Sequence, residues 1–539
     1  MKNKMVICNS YLFLMLGVFP LFFHNFYYDI YQTKFWFAAV VTCLFFSLQV
    51  LVCGVGREQF AQLGKKEGMI WYLSFLFFAV ISVAFSQHRI EAFFGNAGRY
   101  NGLFIYLVYL MGYYIIFQTE KISIKIFYVM EGTGILTGFL GILNHFSIDP
   151  FGFTKGLGVI ENFMSTLGNT NCFVEYTGMI MVVAGGMYIL ESKKNSRVWH
   201  GFVYMISCMA LILAGPETAY IAFLIFIMGT LFIIKKRNEL IRYIILVEYL
   251  CIMFLSISFA YHQNWNFIHN SKYLSDITFL ILNHWVYVGG IFLVFFLLGC
   301  SIYFCTFFQK ISQGGIILIK KIYAGCIITA GIVFLVIFVM TNLGWTDLFG
   351  GFGKMFYLTD EWGTNRGYIW KKSVEYFKKM PVLQKWIGIG PDTMYFAYSE
   401  MNAEVAGAAI DNTHNMLLQL LITHGIIGAA AWTGWIINTL MLCVRKGKNH
   451  GIYQMLGMAI ICYYAMSMFG VNMINSSAIA VLLMGMARCD FSEYEGITEN
   501  ERFLGGIIAS VVVLLLLLAG FMQVLKADEM QMLNNLLAG

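Results

Sequence analysis

The sequence predicts an all-α fold: a polytopic bundle of about 12–15 transmembrane helices with one long extracytoplasmic loop that contains amphipathic helices. Three observations predict it. Of the 539 residues, 59% are hydrophobic and 12% charged, with a mean hydropathy of +0.71, against about 25% charged in a soluble domain. Apolar runs long enough to cross a hydrocarbon core recur along the whole chain. Basic residues cluster in alternate connections, as they do where Lys and Arg stay cytoplasmic.

Fifteen apolar runs meet the first requirement, at 8–27, 34–55, 68–85, 102–118, 126–146, 171–190, 200–214, 219–234, 243–260, 285–307, 322–342, 426–444, 452–469, 473–489 and 503–524. The basic start at Lys2 and Lys4 precedes the first of them. No small-x-small cleavage site follows before Phe26, so this run is expected to stay as an uncleaved helix. Clusters such as Lys121/Lys125, Lys193/Lys194/Arg197, Lys235/Lys236/Arg237 and Arg445/Lys446/Lys448 fall on one side of the bundle. The formal charge of +6 is therefore a topology signal, and no nucleic-acid partner is expected. Three regions follow: helices over 1–342, a long extracytoplasmic loop over 343–425, and helices with a short tail over 426–539.

Composition also bounds the chemistry. The twelve cysteines stand singly, with no C-x-x-C pair and none in the long loop, so no disulfide or thiolate metal site is implied. There is no phosphate-binding glycine loop, and the cytoplasmic connections are too short for an ATPase domain. Work must draw on energy already in a substrate or a gradient, and no cofactor or metal is expected.

The informative segments lie on the outer side. Within the long loop, Arg366 is followed by Trp370, Val374 and Phe377 at helical spacing, flanked by Lys371, Lys372, Lys378 and Lys379 and stopped by Pro381. This is an interfacial amphipathic helix. It reads either as an anchor on anionic lipid or as a cationic lid over a phosphate-bearing substrate. Ile387 to Asp392 form a tight turn around Gly388 and Gly390. Next, Asp411 could cap a helix with His414 in its first turn, where the helix dipole would keep the imidazole neutral and able to accept a proton. Asn415 stands beside it. In the first outer loop Gly95 to Gly102 bracket Arg99, Tyr100 and Asn101, with glycines that would let a ligand approach. Asn169 and Asn171 open another helix, as ordinary caps or as donors to a sugar hydroxyl.

Taken in order, Arg99-Tyr100-Asn101-Gly102, Gly168-Asn169-Thr170-Asn171, Arg366-x-x-x-Trp370 with Pro381, Gly388-x-Gly390-Pro391 and His414-Asn415-x-x-Leu418-Gln419 resemble the O-antigen ligase and O-antigen polymerase superfamily, over roughly residues 90–490. The resemblance implies a membrane glycosyltransferase of the bacterial cytoplasmic (inner) membrane. Its donor would be an undecaprenyl-pyrophosphate-linked glycan and its acceptor a glycan or lipid hydroxyl, among membrane lipids. His414 matches the family's acceptor-activating histidine, and Arg366 the arginine assigned to pyrophosphate. Arg99, Tyr100, Asn101, Asn169, Asn171, Trp370, Lys371, Lys372 and Asn415 are the candidate substrate-binding residues. One position departs: where the family has an arginine at a helix mouth, the matching stretch Gly215 to Tyr220 carries Glu217. Arg99, Arg89 or Lys155 would then supply the missing cation.

Displacing pyrophosphate from an anomeric carbon requires charge stabilisation on the leaving group and removal of a proton from the incoming hydroxyl. A guanidinium fork suits the first and a neutral imidazole the second. Attack opposite the leaving group predicts inversion. A transporter or flippase of a lipid-linked sugar is the competing class and would need ionisable groups in mid-helix, of which Glu131, Glu175 and Glu248 are the main examples. The Lys- and Ile-rich composition, with five prolines, tips the enzyme reading toward a polymerase.

Overall fold

The computed structural model describes residues 2–53, 68–96, 98–153, 163–263, 276–304, 313–350, 353, 356–405 and 407–492. The run expected at 503–524 and Lys155 lie outside them. Each of the other fourteen runs overlaps a helix. In chain order these are α1 (Lys2–Phe13, continued by a π turn, Leu14–Val18), α2 (Ile30–Cys53), α3 (Met69–Phe85), α4 (Leu103–Phe117), α5 (Ile126–His145), α6 (Thr170–Leu190), α7 (Lys194–Leu213), α8 (Ala219–Ile233), α9 (Arg237–His262), α10 (Trp285–Phe304), α11 (Gln313–Asn342), α12 (Gly425–Gly447), α13 (Gly451–Ser467) and α14 (Ile474–Met486). Among the described residues seven helices are long and apolar enough to cross a membrane, and the bent pair Ile277–Asn283 and Trp285–Cys300, at 76°, would make eight. The molecule is an all-α polytopic bundle.

Helix α6 is the hub, with 89% of its apolar window buried. It packs against α5, α7, α8, α13 and α14. Glycines make the approach possible. A Cβ at Gly185 would lie 2.3 Å from the Phe226 ring and one at Gly186 2.5 Å from Met455, well inside van der Waals contact, so small residues set these helix separations. At the opposite extreme none of the window of Lys320–Asn342 is buried. That helix touches the rest through Lys320 Nζ on the Phe232 carbonyl at 2.9 Å and Tyr323 on the Ile227 carbonyl at 3.1 Å. An apolar surface of this kind is what lipid covers.

Between α11 and α12 the chain builds a small layer on one end of the bundle. Its core joins Ile369, Met394, Tyr398, Ile410 and Ile422, with Trp370, Tyr376 and Phe377 packed around them. The helix Trp362–Lys379 supplies one wall, and Met394–Glu400 and Met416–Thr423 supply the others. The turn over Gly388 and Gly390 is stitched to the end of the helix Met416–Thr423, just before α12. Ile389 and Gly390 donate their amides to the carbonyls of Ile422 and Thr423, at 3.1 and 3.0 Å. A Cβ at Gly388, φ +84°, would fall 2.2 Å from the Thr423 carbonyl oxygen, so side chains are excluded there.

Candidate active site

Distant segments converge at this end of the bundle. The first is the loop before α4. Arg99 reaches across to Asp411 in a bidentate pair, Nε to Oδ2 at 2.7 Å and Nη2 to Oδ1 at 2.6 Å. Asp392 closes the same loop: its Oδ2 accepts the amides of Asn96 at 2.8 Å and Asn101 at 3.0 Å. The Asn101 side chain donates to the Asn472 carbonyl, and the Asn472 side chain accepts from Tyr463 at 2.7 Å. A Cβ at Gly95 would meet the Tyr100 backbone and one at Gly102 the Gly95 backbone, both within 2.5 Å. These glycines close the loop on itself. At Gly98, φ +93°, a Cβ would meet nothing within 4 Å, so space is left beside Arg99.

The second segment is the start of the long-loop helix. Gly363, Thr364 and Asn365 all adopt left-handed geometry, with φ of 60°, 61° and 68°, before the regular helix begins at Arg366. The Arg366 Nη1 donates to the Gly363 carbonyl at 2.6 Å, while its Nε is enclosed without a partner. Burial disfavours its charge, and the carboxylate of Glu217 acts in the opposite direction. An arginine remains protonated under such conditions. Glu217, the residue standing where the resemblance expects a cation, thus lies near enough to Arg366 to favour its charge.

The third segment is Asn412 to Asn415. His414 has φ +49°, and its amide donates to Asn412 Oδ1 at 2.7 Å. The helix here begins at Met416. Asn415 caps it by accepting from the Leu418 amide at 3.0 Å, and Asp411, expected to cap, instead holds Arg99. His414 therefore stands before the cap, and the helix dipole is not the main influence on its proton. Desolvation and the positive charges of Arg366 and Arg99 outweigh Asp411 and lower its pKa to about 4. The imidazole is neutral at pH 7, as expected, but for a different reason. Its Nδ1 is enclosed and has no partner.

Trp370 donates from Nε1 to the Thr413 carbonyl at 3.0 Å, tying the second and third segments together. The buried face of its helix runs through Ile369 and Ser373 to Met380, and Val374 is 40% exposed, so the apolar stripe is rotated from the Trp370, Val374 and Phe377 face expected. Lys371 and Lys372 point outward, paired with Asp360 at 2.6 Å and Glu375 at 3.1 Å. With Val374, the exposed Val382, Leu383 and Trp386 beside Lys378, Lys379 and Lys385 have the make-up of a membrane-surface anchor. Asn169 is a cap, accepting from the Asn171 amide at 2.8 Å, while the Asn171 Oδ1 is buried without a partner. The Tyr100 ring lies against Phe35, with centroids 5.1 Å apart.

Among the described residues nine non-glycine residues have positive φ, and Tyr100, Thr364, Asn365, Asp392 and His414 are five of them. Strain of this kind gathers where a fold must aim side chains. The described groups at the centre are Arg99, Arg366, Asp392, Asp411, Glu217 and His414. Sequence reading missed Asn472 and its link to Tyr463. The polar run Asn472, Asn475, Ser476 and Ser477 breaking an apolar stretch was the available signal.

Fold and site together define a multi-pass membrane protein whose charged, partly enclosed centre is built on one end of a helix bundle. Residues 277–433 match the O-antigen ligase family, and this match supports the resemblance to the O-antigen ligase and polymerase superfamily and a role in glycan assembly in general. The matched segment contains Arg366, Trp370, Asp392, Asp411, His414 and Asn415 and excludes Arg99. No curated protein matches the chain.

Proposed function

We propose that the protein transfers a glycan from an undecaprenyl-pyrophosphate donor to an acceptor hydroxyl, with inversion, on the outer side of the bacterial cytoplasmic membrane, and that it acts as a polymerase in cell-surface polysaccharide assembly. The observation that carries the reading is the pairing of two uncommitted nitrogens, Arg366 Nε and His414 Nδ1, on groups close enough for the guanidinium to shift the imidazole.

The anomeric C–O bond to pyrophosphate breaks and its electron pair leaves on the phosphate oxygen, where Arg366 stabilises it. The acceptor oxygen forms the new bond from the opposite face. Its proton becomes strongly acidic as that bond forms, so an imidazole with a pKa of about 4 is base enough to take it. Arg99 and Asp411 position the loop carrying His414. Trp370, Asn101 and Asn415 frame the site, and Lys371 and Lys372 meet lipid headgroups at its rim. The buried Glu131 is held by His200 and Trp199 at 2.7 and 2.8 Å, a locked pair that does not favour the transport reading, while Glu175 accepts from Ser476 at 2.5 Å through one of its two oxygens.

The test is glycan chain length in a host lacking its own polysaccharide polymerase. Wild type yields a ladder, and Arg366→Ala or His414→Ala collapses it to single repeat units. A ladder that survives both substitutions removes the catalytic assignment. Transfer to a lipid acceptor without a ladder would replace polymerase by ligase.

A further inference from the structure

The connection between α13 and α14, residues 468–473, lies outside the family match and yet touches two of the segments that build the site. The Phe469 ring packs against Trp370, with centroids 6.0 Å apart and planes inclined at 42°. Asn472 offers its carbonyl to the Asn101 side chain, and Met473 offers its sulfur to Arg99 Nη1 at 3.5 Å. A Cβ at Gly470 would lie 2.8 Å from Glu175 Oε1, so the connection rests closely on α6.

Two carboxamides are fixed here and only half used. Asn472 Oδ1 accepts from Tyr463 at 2.7 Å, which leaves its Nδ2 as a donor. Asn101 spends its Nδ2 on the Asn472 carbonyl, which leaves its Oδ1 as an acceptor. Both residues, and the Phe469 and Trp370 rings, are partly exposed. None of these four side chains is charged, and the neighbouring Arg99 is spent on Asp411 and Met473. The set does not suit a pyrophosphate. It suits a pyranose, which offers a C–H face to an aromatic corner and neighbouring hydroxyls to a fixed donor and acceptor. Trp370 also holds the Thr413 carbonyl at 3.0 Å, next to His414, so a sugar against Trp370 lies on the side where the acceptor's proton is taken.

Resting on the function proposed above, we propose that Phe469, Trp370, Asn472 and Asn101 form a subsite for a neutral terminal sugar of the acceptor glycan. The subsite makes and breaks no bond; it holds the sugar whose hydroxyl attacks.

Initial rates on the purified full chain in lipid nanodiscs test it, with the native lipid-linked repeat unit as donor and the repeat-unit glycan released from its lipid as the varied acceptor. Asn472→Ala and Phe469→Leu are each expected to raise the acceptor KM about tenfold, the scale of one lost contact. The donor KM, and kcat at saturating acceptor, stay at wild-type values. Phe469→Tyr keeps the ring and retains the wild-type acceptor KM. Thermal melting identifies any variant that misfolds, and the other variant then carries the test. An unchanged acceptor KM in the folded variants, or a fall in kcat alone, overturns the subsite. A rise in donor KM instead overturns the acceptor assignment and gives these residues to the donor's sugar. Absence of transfer by wild type overturns the function proposed above, and calorimetric binding of the released glycan then decides the subsite by itself. No binding by wild type, or equal binding by Phe469→Leu, overturns it.

Discussion

Two arginines at the same end of the bundle carry the same charge and are built in opposite ways. Arg99 sits in a closed network: its guanidinium grips Asp411 with two bonds and its loop is pinned by Asp392 through two backbone amides. Arg366 follows three residues in left-handed geometry. It makes one hydrogen bond, to a carbonyl only three residues away, and keeps Nε free of one. A guanidinium whose donors are already satisfied by a carboxylate holds structure. One with a donor left open in a partly enclosed place is available to a ligand. The contrast separates positioning from chemistry, and substitutions can test it.

The largest effect belongs to the open side. Arg366→Ala is expected to lower transfer roughly 10²–10³-fold, the scale of losing one preorganised donor to a developing anion. Arg366→Lys should recover little, because an ammonium cannot reproduce the fork. The melting temperature should stay near wild type in both, since the single bond lost is local. A large drop in melting temperature would place Arg366 with Arg99 as a structural group and dissolve the distinction.

Arg99 reverses the pattern. Arg99→Ala or Asp411→Ala leaves a partly buried charge without its partner and should cost about 1–3 kcal/mol, read as thermal destabilisation of the detergent-purified protein, with activity falling in parallel. The double variant should be less damaged than the sum of the singles, because each single change strands the other's charge. Strict additivity would mean that the bidentate pair contributes nothing as a pair.

How much of this contrast was legible beforehand depends on the distance over which each feature is determined. Fourteen helices could be read because apolar length is a local property and a bilayer imposes it directly. Arg366 and His414 stood out as polar residues in a long loop. The Arg99–Asp411 pair spans 312 positions, and nothing near Asp411 announces it. Local pattern offered Asp411 as the cap, and Asn415 takes that role because it is next to the helix while Asp411 has a stronger partner elsewhere. The helix face was misread for a related reason. Trp370, Val374 and Phe377 do recur at helical spacing, but Ile369, Ser373 and Met380 do so as well, and only the small core around Tyr398 decides which stripe is covered.

The acid limb of the pH profile sharpens the comparison on the open side. Both arginines and the loss of water depress the His414 imidazole to about 4, so transfer should remain flat through neutral pH and fall only as pH drops toward that value. An unperturbed histidine would place the limb near about 6.5. In Arg366→Ala one of the depressing charges is gone, so the limb of the residual activity should move upward. A limb that stays put would show that Arg366 contributes nothing and that burial and Arg99 set the histidine.

The smallest effect concerns the pin on the closed side. Burial pushes the Asp392 carboxyl up to about 7, against the two amides and Arg99, which favour the anion. A carboxyl raised above its unfolded value stabilises the fold while protonated, and that contribution is lost as pH rises through about 7. Asparagine can accept the same two amides without titrating. Asp392→Asn should therefore match wild type in melting temperature near pH 5 and exceed it by about 2 °C at pH 8, with transfer at neutral pH little changed. If the variant instead melts lower at both pH values, the anion is what the two amides and Arg99 require. The closed network would then depend on a charged Asp392.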